Sequence, residues 1–536
     1  MSSLMKGTAI LTVGLFLSKV LGLIYVFPFY SIVGKDNVGL YQYAYIPYNI
    51  MLSVAISGLP LGVSKFVSKY NSINDYEAGR KLFKSGILVM AITGVISFII
   101  LNLLATPIAN VVIKDEEQIY TVEQIASAIR WVSYALLAVP IMSLIRGFFQ
   151  GYSHYMPTSV SQLVEQIVRI VVLLGGSFVV VTLLNGEPET AVKFAVFAAF
   201  IGALGGLVVL YFYWKKLSPE FNILRRSSVS SGELSYKEIY KEIIRYSIPF
   251  VFVGMASSLF QLVDMLTFNS AMVSIGLASV TDDYLTMLNF TTQKIVIIPV
   301  MLATGFSMAL IPTITKHYTV GAFDTLRGEL DKTYQILLFI TIPASIGIAL
   351  LAPGIYHVLY EQSEMGAEVL AHYAPLAILF ALFSVTAAIL QGIDYQKWII
   401  FSLLTGVLFK LMLNTPLIKL MEVDGALLAT AIGYGVTILI NIAVIHKALH
   451  YRSKLVFRRI ILISLLTLAM SISVVIVNKL LYAISVPSSK ALEALYLIIS
   501  VGVGAVVYGY LSFRLKLAQK LLGGRITKIA NKLGFK

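Results

Sequence analysis

The chain has 536 residues, of which 58% are hydrophobic and 13% are charged. Soluble globular domains average about 25% charged residues, so this composition excludes a water-soluble fold and predicts a membrane protein. The absence of cysteine excludes disulfides and thiolate chemistry, and the net charge of +14 does not indicate nucleic-acid binding, because the basic residues lie between hydrophobic segments.

Segments of about 20 apolar residues, the length of a membrane-crossing helix, recur along the whole chain. The first twelve predicted spans are residues 8–33, 40–63, 85–113, 125–145, 157–184, 191–214, 246–275, 288–315, 333–359, 371–391, 398–421 and 425–446. Two more spans cover residues 460–483 and 491–512, which gives fourteen.

The loops between the spans alternate between basic and acidic. Lys and Arg concentrate in loops 64–84, 215–245 and 447–459, whereas the intervening loops contain acids such as Asp115 and Glu187. Because cytoplasmic loops are enriched in Lys and Arg, the alternation predicts an even number of spans and two cytoplasmic termini. The expected location is the bacterial cytoplasmic membrane.

The last 24 residues, 513–536, contain seven Lys or Arg and no acid. Their apolar residues recur at helical spacing, which predicts a basic amphipathic helix on the anionic lipid of the inner leaflet. The alternative is a frayed, solvated tail.

The chain also resembles itself. A shift of 247 residues aligns SGLPLGVSKFVSKY with TGFSMALIPTITKHY and matches Arg80 with Arg327, and a shift of 241 matches Arg169 with Lys410. The predicted fold is therefore an all-α polytopic membrane protein with 14 transmembrane helices, in which two six-helix lobes are related by a parallel repeat and followed by two C-terminal helices. An axis along the membrane normal would relate the lobes, with a cavity between them. The predicted domains are an N-lobe at 1–215, a basic cytoplasmic linker at 216–245, a C-lobe at 246–447, spans 13 and 14 at 460–512, and the tail at 513–536.

Six ionisable residues lie well inside predicted spans: Lys19, Glu165, Arg169, Asp264, Lys294 and Lys410. Each costs roughly 2.5–3.5 kcal/mol at the centre of an isolated membrane helix, so they must face protein or water. Four cations and two carboxylates leave a net charge of about +2, which suits a phosphate or pyrophosphate substrate. We expect the four cations to bind substrate and the two carboxylates to pair with them or couple an ion.

Each of these residues also has a structural interpretation. Glu165 and Arg169 are four residues apart and can pair on one helix face. Asp264 either neutralises Lys294 or binds a coupling cation. Lys19 lies too deep in span 1 for simple snorkelling, which favours a cavity role.

Other polar residues give weaker indications of function than these six. Arg146, at the cytoplasmic rim of span 4, is either an anchor or a gate. His446 and His450 have the i, i+4 spacing of metal ligands, but no third ligand accompanies them, so no metal and no cofactor are expected. The tyrosines of span 2 suit either a sugar-binding wall or the interfacial aromatic belt.

Several motifs carry a family resemblance: KGTAILTVGLFLSKVLGLIYVFPF, GLYQYAY, GLPLGVSKFVSKY and RGFFQGY in the first half, and EIIRYSIPFVF, TTQKIVIIP, ITIPAS and LQGIDYQK in the second. They resemble the polysaccharide-transporter branch of the multidrug/oligosaccharidyl-lipid/polysaccharide exporter superfamily, and in particular its stage V sporulation protein B/YtgP group, which includes the MurJ-type lipid II flippases of Gram-positive bacteria. The resemblance implies two six-helix lobes plus two helices, an undecaprenyl-diphosphate-linked sugar as substrate, most specifically lipid II, and cell-wall synthesis proteins as partners.

The Gram-negative branch of that group lines its cavity with arginines in the first two helices. Here Lys19 keeps a basic residue, but Tyr25 and Leu52 hold the later positions, so Arg169, Lys294 and Lys410 would have to supply the missing charge. We therefore predict a lipid II flippase that works by alternating access and is not an enzyme. The alternatives are a flippase for another lipid-linked glycan, a cation-coupled drug antiporter and a membrane-embedded glycan polymerase.

Overall fold

A computed structural model describes residues 14, 17–56, 58–229, 236–451 and 454–522. Within these ranges the chain is helical and has no β-strand, which confirms the all-α prediction. The chain divides into two compact units, Met1–Asp283 and Tyr284–Lys536. The predicted N-lobe ends earlier, at residue 215, so the seventh predicted span groups with the first unit.

The first unit is built from long apolar helices joined by short connections. Its described helices are α1 (Leu17–Val33), α2 (Lys35–Ile56), α3 (Leu59–Ser72), α4 (Tyr76–Val112), α5 (Val122–Ser133), α6 (Ala135–Gly151), α7 (Tyr155–Phe178), α8 (Pro188–Arg226), α9 (Tyr236–Val273) and α10 (Ala278–Thr286), which crosses the boundary. A π-helical turn, Val179–Leu183, extends α7.

The second unit starts within α10 and continues through a second π-helical turn, Met287–Thr291. Its remaining described helices are α11 (Thr292–Thr319), α12 (Phe323–Leu350), α13 (Ala352–Leu359), α14 (Glu364–Tyr373), α15 (Leu376–Gly392), α16 (Gln396–Leu449), α17 (Lys454–Ile484), α18 (Lys490–Arg514) and α19 (Leu517–Leu522).

Helix covers most of the described part of every predicted span. In the described part of the chain, ten helical segments are long and apolar enough to cross a membrane, when α5 with α6 and α14 with α15 are each counted as one segment. One of them, the 54-residue α16, contains two predicted spans, because Glu422 leaves the helical region at φ 52° and ψ −128°. The total of fourteen spans stays a prediction.

One predicted span is interrupted in the structure. Span 2 is not continuous, because α2 ends at Ile56 and α3 begins after Gly58, which has a left-handed φ of 65°. A side chain at Gly58 would also collide with Ser247, whose Oγ donates a hydrogen bond to the Gly58 carbonyl at 3.0 Å. The linker predicted at 216–245 is largely helical, since α8 continues to Arg226 and α9 begins at Tyr236.

The spanning helices present apolar side chains to their surroundings. Only 22% of the most apolar stretch of α4 is buried within the protein. Exposed side chains of this kind need a hydrocarbon environment, which is the structural sign of a lipid-facing helix. Local signals define where such helices start: Thr121 and Gln124 form a reciprocal capping box at the start of α5.

Close backbone approaches hold the helix hairpins together. A Cβ at Gly202 on α8 would lie 2.8 Å from the Arg169 Cβ and 2.9 Å from the Glu165 carbonyl oxygen on α7. In the second unit, Gly406 packs directly on the Gly433 carbonyl within α16. On the first helix of each hairpin the contact falls at an aligned position, since 406 is 241 residues after 165, but the partner positions on the second helices, 202 and 433, are not aligned by this shift.

Candidate functional site

Arg169 lies at the centre of a tyrosine cluster in the first unit. Its guanidinium donates hydrogen bonds to the hydroxyls of Tyr41, at 3.1 Å, and Tyr45, at 2.5 Å. Tyr25 on α1 hydrogen-bonds the Tyr41 hydroxyl at 2.9 Å, so α1, α2 and α7 meet at this point. The Arg169 Cζ also lies 5.0 Å from the centre of the Tyr45 ring, within the range of a cation–π contact.

The tyrosines position this arginine without neutralising it. The rings of Tyr41 and Tyr45, one helical turn apart on α2, stack at 4.2 Å with an interplanar angle of 15°. Phenol hydroxyls are neutral at physiological pH, so Arg169 keeps its full charge. Its Nε–H is buried and has no hydrogen-bond partner among the described residues. A charged guanidinium with an unused donor is suited to binding an anion.

Arg146, and not Arg169, forms an ion pair with Glu165. Its guanidinium lies 2.8 Å from the Glu165 carboxylate, and the two side chains are only 10% and 21% exposed. It also donates to the Ser161 hydroxyl at 2.7 and 3.1 Å, and Ser161 in turn donates to the Gly206 carbonyl at 3.1 Å. Glu165 therefore pairs with Arg146 on α6 rather than with Arg169, and Arg146 joins α6, α7 and α8. This geometry favours the anchor over the gate.

Lys19 lies on α1, where its side chain is exposed. One turn later Gly22 packs against Gln166 on α7, at a point where a Cβ would lie 3.1 Å from the amide nitrogen. The helix that carries Lys19 therefore lies against the helix that carries Arg169, and its Tyr25 contributes to the tyrosine cluster.

Asp264 and Lys294 fall in different units. Asp264 is buried on α9 of the first unit. Lys294 is half-buried at the start of α11 in the second unit, with its ammonium 5.6 Å from the centre of the Phe290 ring. Phe290 belongs to the π-helical turn Met287–Thr291, a distortion that is frequent at functional sites. The predicted pairing of Asp264 with Lys294 stays a prediction.

Lys410 is enclosed within the second unit. Its side chain is 1% exposed, and the ammonium donates to the Thr430 hydroxyl at 2.7 Å across the hairpin of α16. The repeat correctly aligns it with Arg169 as a cation on the first helix of a hairpin. The surroundings differ, however, since Arg169 is only half-buried and lies among tyrosines.

Sequence reasoning missed a second polar cluster in the first unit. Asp282 on α10 is 1% exposed and accepts hydrogen bonds from the Tyr43 hydroxyl at 2.6 Å and the Ile119 amide at 2.8 Å. Asn269 on α9 donates to the Tyr43 hydroxyl at 3.1 Å and to the Val112 carbonyl at 3.1 Å. Burial raises the pKa of Asp282 above its ordinary value, although the hydrogen bonds that Asp282 accepts from Tyr43 and Ile119 lower it. Its place in a predicted loop concealed it.

The chain matches the family described as Polysaccharide biosynthesis protein over residues 4–317, more than half of its length. It belongs to this family. Two of its relatives are proteins of Bacillus subtilis (strain 168). Lipid II flippase MurJ is 45% identical over 532 residues, covering 98% of each chain, and Stage V sporulation protein B is 24% identical over 463 residues, covering 83% of this chain and 84% of the relative.

Solved structures show the same fold for this family member. A lipid II flippase MurJ in an inward closed conformation matches with a TM-score of 0.66 and 14% identity, covering 96% of this chain and 99% of that chain. An inward-facing multidrug resistance MATE transporter of the MOP superfamily matches with a TM-score of 0.63 and 15% identity, covering 81% and 94%. The chain therefore has the fold of these proteins, and with the 45% identity to lipid II flippase MurJ this makes it a multi-pass protein of the cytoplasmic membrane and confirms the predicted resemblance to the MurJ-type group.

Proposed function

We propose that this protein translocates lipid II, the undecaprenyl-diphosphate-linked precursor of peptidoglycan, from the inner to the outer leaflet by alternating access. The 45% identity to a lipid II flippase over 98% of both chains supports this substrate. Cell-wall synthesis proteins would consume the translocated precursor, so we include them among the partners.

One feature of the site supports the mechanism: Arg169 lies within a predicted span, and the groups that accept its hydrogen bonds are neutral hydroxyls. Arg146 is balanced by the Glu165 carboxylate 2.8 Å away, whereas the hydroxyls that bind Arg169 are neutral. A charge inside a membrane-spanning segment that its described neighbours do not balance is costly and is retained where function uses it. A diphosphate would supply the missing counter-charge and could accept hydrogen bonds from more than one guanidinium nitrogen.

The other predicted site residues differ in how strongly the structure supports a contact with the substrate. Lys19, on the helix next to Arg169, adds positive charge, and Lys294, in the second unit, stays a predicted substrate-binding residue. Lys410 is a weaker candidate for substrate contact because it is only 1% exposed and already bonded to Thr430. Glu165 and Asp264 act as charge-pairing or ion-coupling groups.

Arg169→Met and Arg169→Lys test the site in cells that lack other lipid II flippases. Charged hydrogen bonds contribute roughly 1.5–3 kcal/mol, so we expect Arg169→Met to lower lipid II exposure on the outer leaflet by about tenfold or more. Arg169→Lys should retain part of the activity because it keeps the charge. The matched control is Arg226→Met, which removes an exposed arginine at the end of α8.

The result that would contradict the site is full lipid II exposure with a stable, membrane-inserted Arg169→Met variant. Unchanged exposure after depletion of the wild-type protein, in the same cells, would contradict the proposed function itself.

We also propose that both termini face the cytoplasm and that the basic tail lies on anionic lipid of the inner leaflet. The described structure ends with α19 at Leu522, so most of this tail lies outside the described residues. Because the chain has no cysteine, single cysteines can be introduced for labelling without altering native thiols. A residue of the tail that reacts with an impermeant reagent from the outside of intact cells would contradict this topology.

A further inference from the structure

A cavity of about 530 Å³ opens on the first unit, apart from the residues around Arg169. Its wall is formed by α4, α5 and α8, together with Tyr134 between α5 and α6. Its lining residues are Asn102, Ser127, Arg130, Trp131, Tyr134 and Phe197. It shares none of these with the proposed substrate site.

The residues around the cavity mouth face lipid. Leu103, next to Asn102, is 72% exposed, and Phe194, one turn before Phe197, is also exposed. Exposed apolar side chains on spanning helices contact hydrocarbon, so a cavity opening among them is filled by lipid rather than by a water-soluble ligand.

The polar part of the cavity selects among lipids. Arg130 is the charged lining residue, and its guanidinium donates to the Thr106 hydroxyl at 2.8 Å. Its contact with Glu123 is long, at 3.5 Å, and the Glu123 side chain is 78% exposed, so solvent weakens that pair. A guanidinium has five N–H donors, which leaves Arg130 able to bind a phosphate oxygen.

Three of the lining residues are aromatic. The Phe197 ring packs edge-on against Trp131 at 5.2 Å and against Tyr134 at 5.8 Å. Tryptophan and tyrosine are enriched at the interface between headgroups and acyl chains, where their rings contact both. The cavity thus combines a cation and an apolar wall, as an anionic phospholipid requires.

We propose that this cavity binds a membrane phospholipid with a net negative headgroup, such as phosphatidylglycerol. Arg130 holds the phosphate, and Trp131, Tyr134 and Phe197 pack against the glycerol and the first part of an acyl chain. The ligand is a lipid of the surrounding bilayer and not the transported substrate, so this inference does not depend on the proposed function.

The test is native mass spectrometry of the full-length protein released from nanodiscs containing equal amounts of phosphatidylglycerol and phosphatidylcholine. Both lipids carry a phosphate that Arg130 can bind, but the choline ammonium of phosphatidylcholine cancels the net charge of its headgroup. We therefore expect retention of phosphatidylglycerol over phosphatidylcholine on the order of tenfold at one site. Arg130→Gln should abolish this preference. The control Lys114→Gln, which removes an exposed cation between α4 and α5, should leave it unchanged.

Ser127→Phe, which fills the cavity, tests the site independently of charge and should reduce retention of the tightly bound lipid. It also serves if Arg130→Gln fails to fold. The proposal would be overturned if the wild type retained both lipids equally. It would also be overturned if Arg130→Gln kept the preference and Ser127→Phe kept the retention of the wild type. Displacement of phosphatidylglycerol by an equimolar amount of undecaprenyl diphosphate would also overturn it, because the cavity would then belong to the substrate.

Discussion

Replacing Arg146 by methionine should destabilise the first unit by about 3–5 kcal/mol, the usual cost of removing one partner of a buried ion pair. The pair is short, at 2.8 Å, and its side chains are only 10% and 21% exposed, so solvent cannot compensate the remaining Glu165 carboxylate. The Ser161 hydroxyl also loses two donors, at 2.7 and 3.1 Å.

The double variant Arg146→Met/Glu165→Gln removes both charges and should recover most of this loss. We expect a coupling free energy of at least about 2 kcal/mol in the double-mutant cycle. Equilibrium unfolding in mixed micelles measures each free energy. The control is Lys332→Met, which breaks an exposed pair with Glu329 and should cost less than about 1 kcal/mol.

The same variants distinguish an anchor from a gate. An anchor predicts that the double variant regains lipid II flipping together with stability. If Arg146→Met is no less stable than Lys332→Met, or if the two single losses simply add, the reasoning from burial is wrong. A stable double variant without flipping would assign Arg146 to the gate.

Three further predictions concern packing, burial and pH. Gly202→Ala should lower the free energy of unfolding by about 1–3 kcal/mol and reduce flipping, because its Cβ displaces the Arg169 backbone. The control Gly175→Ala, which has open space around it, should change neither the stability nor the flipping. Equal effects of the two variants in unfolding and flipping assays would contradict this prediction. Lys410→Met should fold and retain flipping, because the enclosed ammonium contacts Thr430 within its own hairpin; a stable variant without flipping would return Lys410 to the substrate site. Asp282 has a raised pKa, so its contribution to stability is fully present below about pH 4 and is lost as the pH rises through the folded value. Asp282→Asn should make the melting temperature depend less on pH from about pH 4 upward. An unchanged pH dependence of the melting temperature would show that another group is responsible.

The sequence alone determined the class of the protein, the positions of its helices and its family resemblance. These properties follow from hydropathy over about 20 residues and from local motifs, which need no knowledge of neighbours. Sequence also identified Arg169 as a charge at membrane depth, because an ionisable residue within an apolar segment is conspicuous.

Only the tertiary structure decided the partners of these charges. Glu165 lies four residues from Arg169 and nineteen from Arg146, yet it pairs with Arg146, because α6 and α7 bring their side chains to 2.8 Å. Helical spacing permits a contact on one helix face, but packing with neighbouring helices selects the one that forms. For the same reason Tyr41 and Tyr45, on α2, became the ligands of Arg169, which keeps the positive charge that its place in the sequence had predicted.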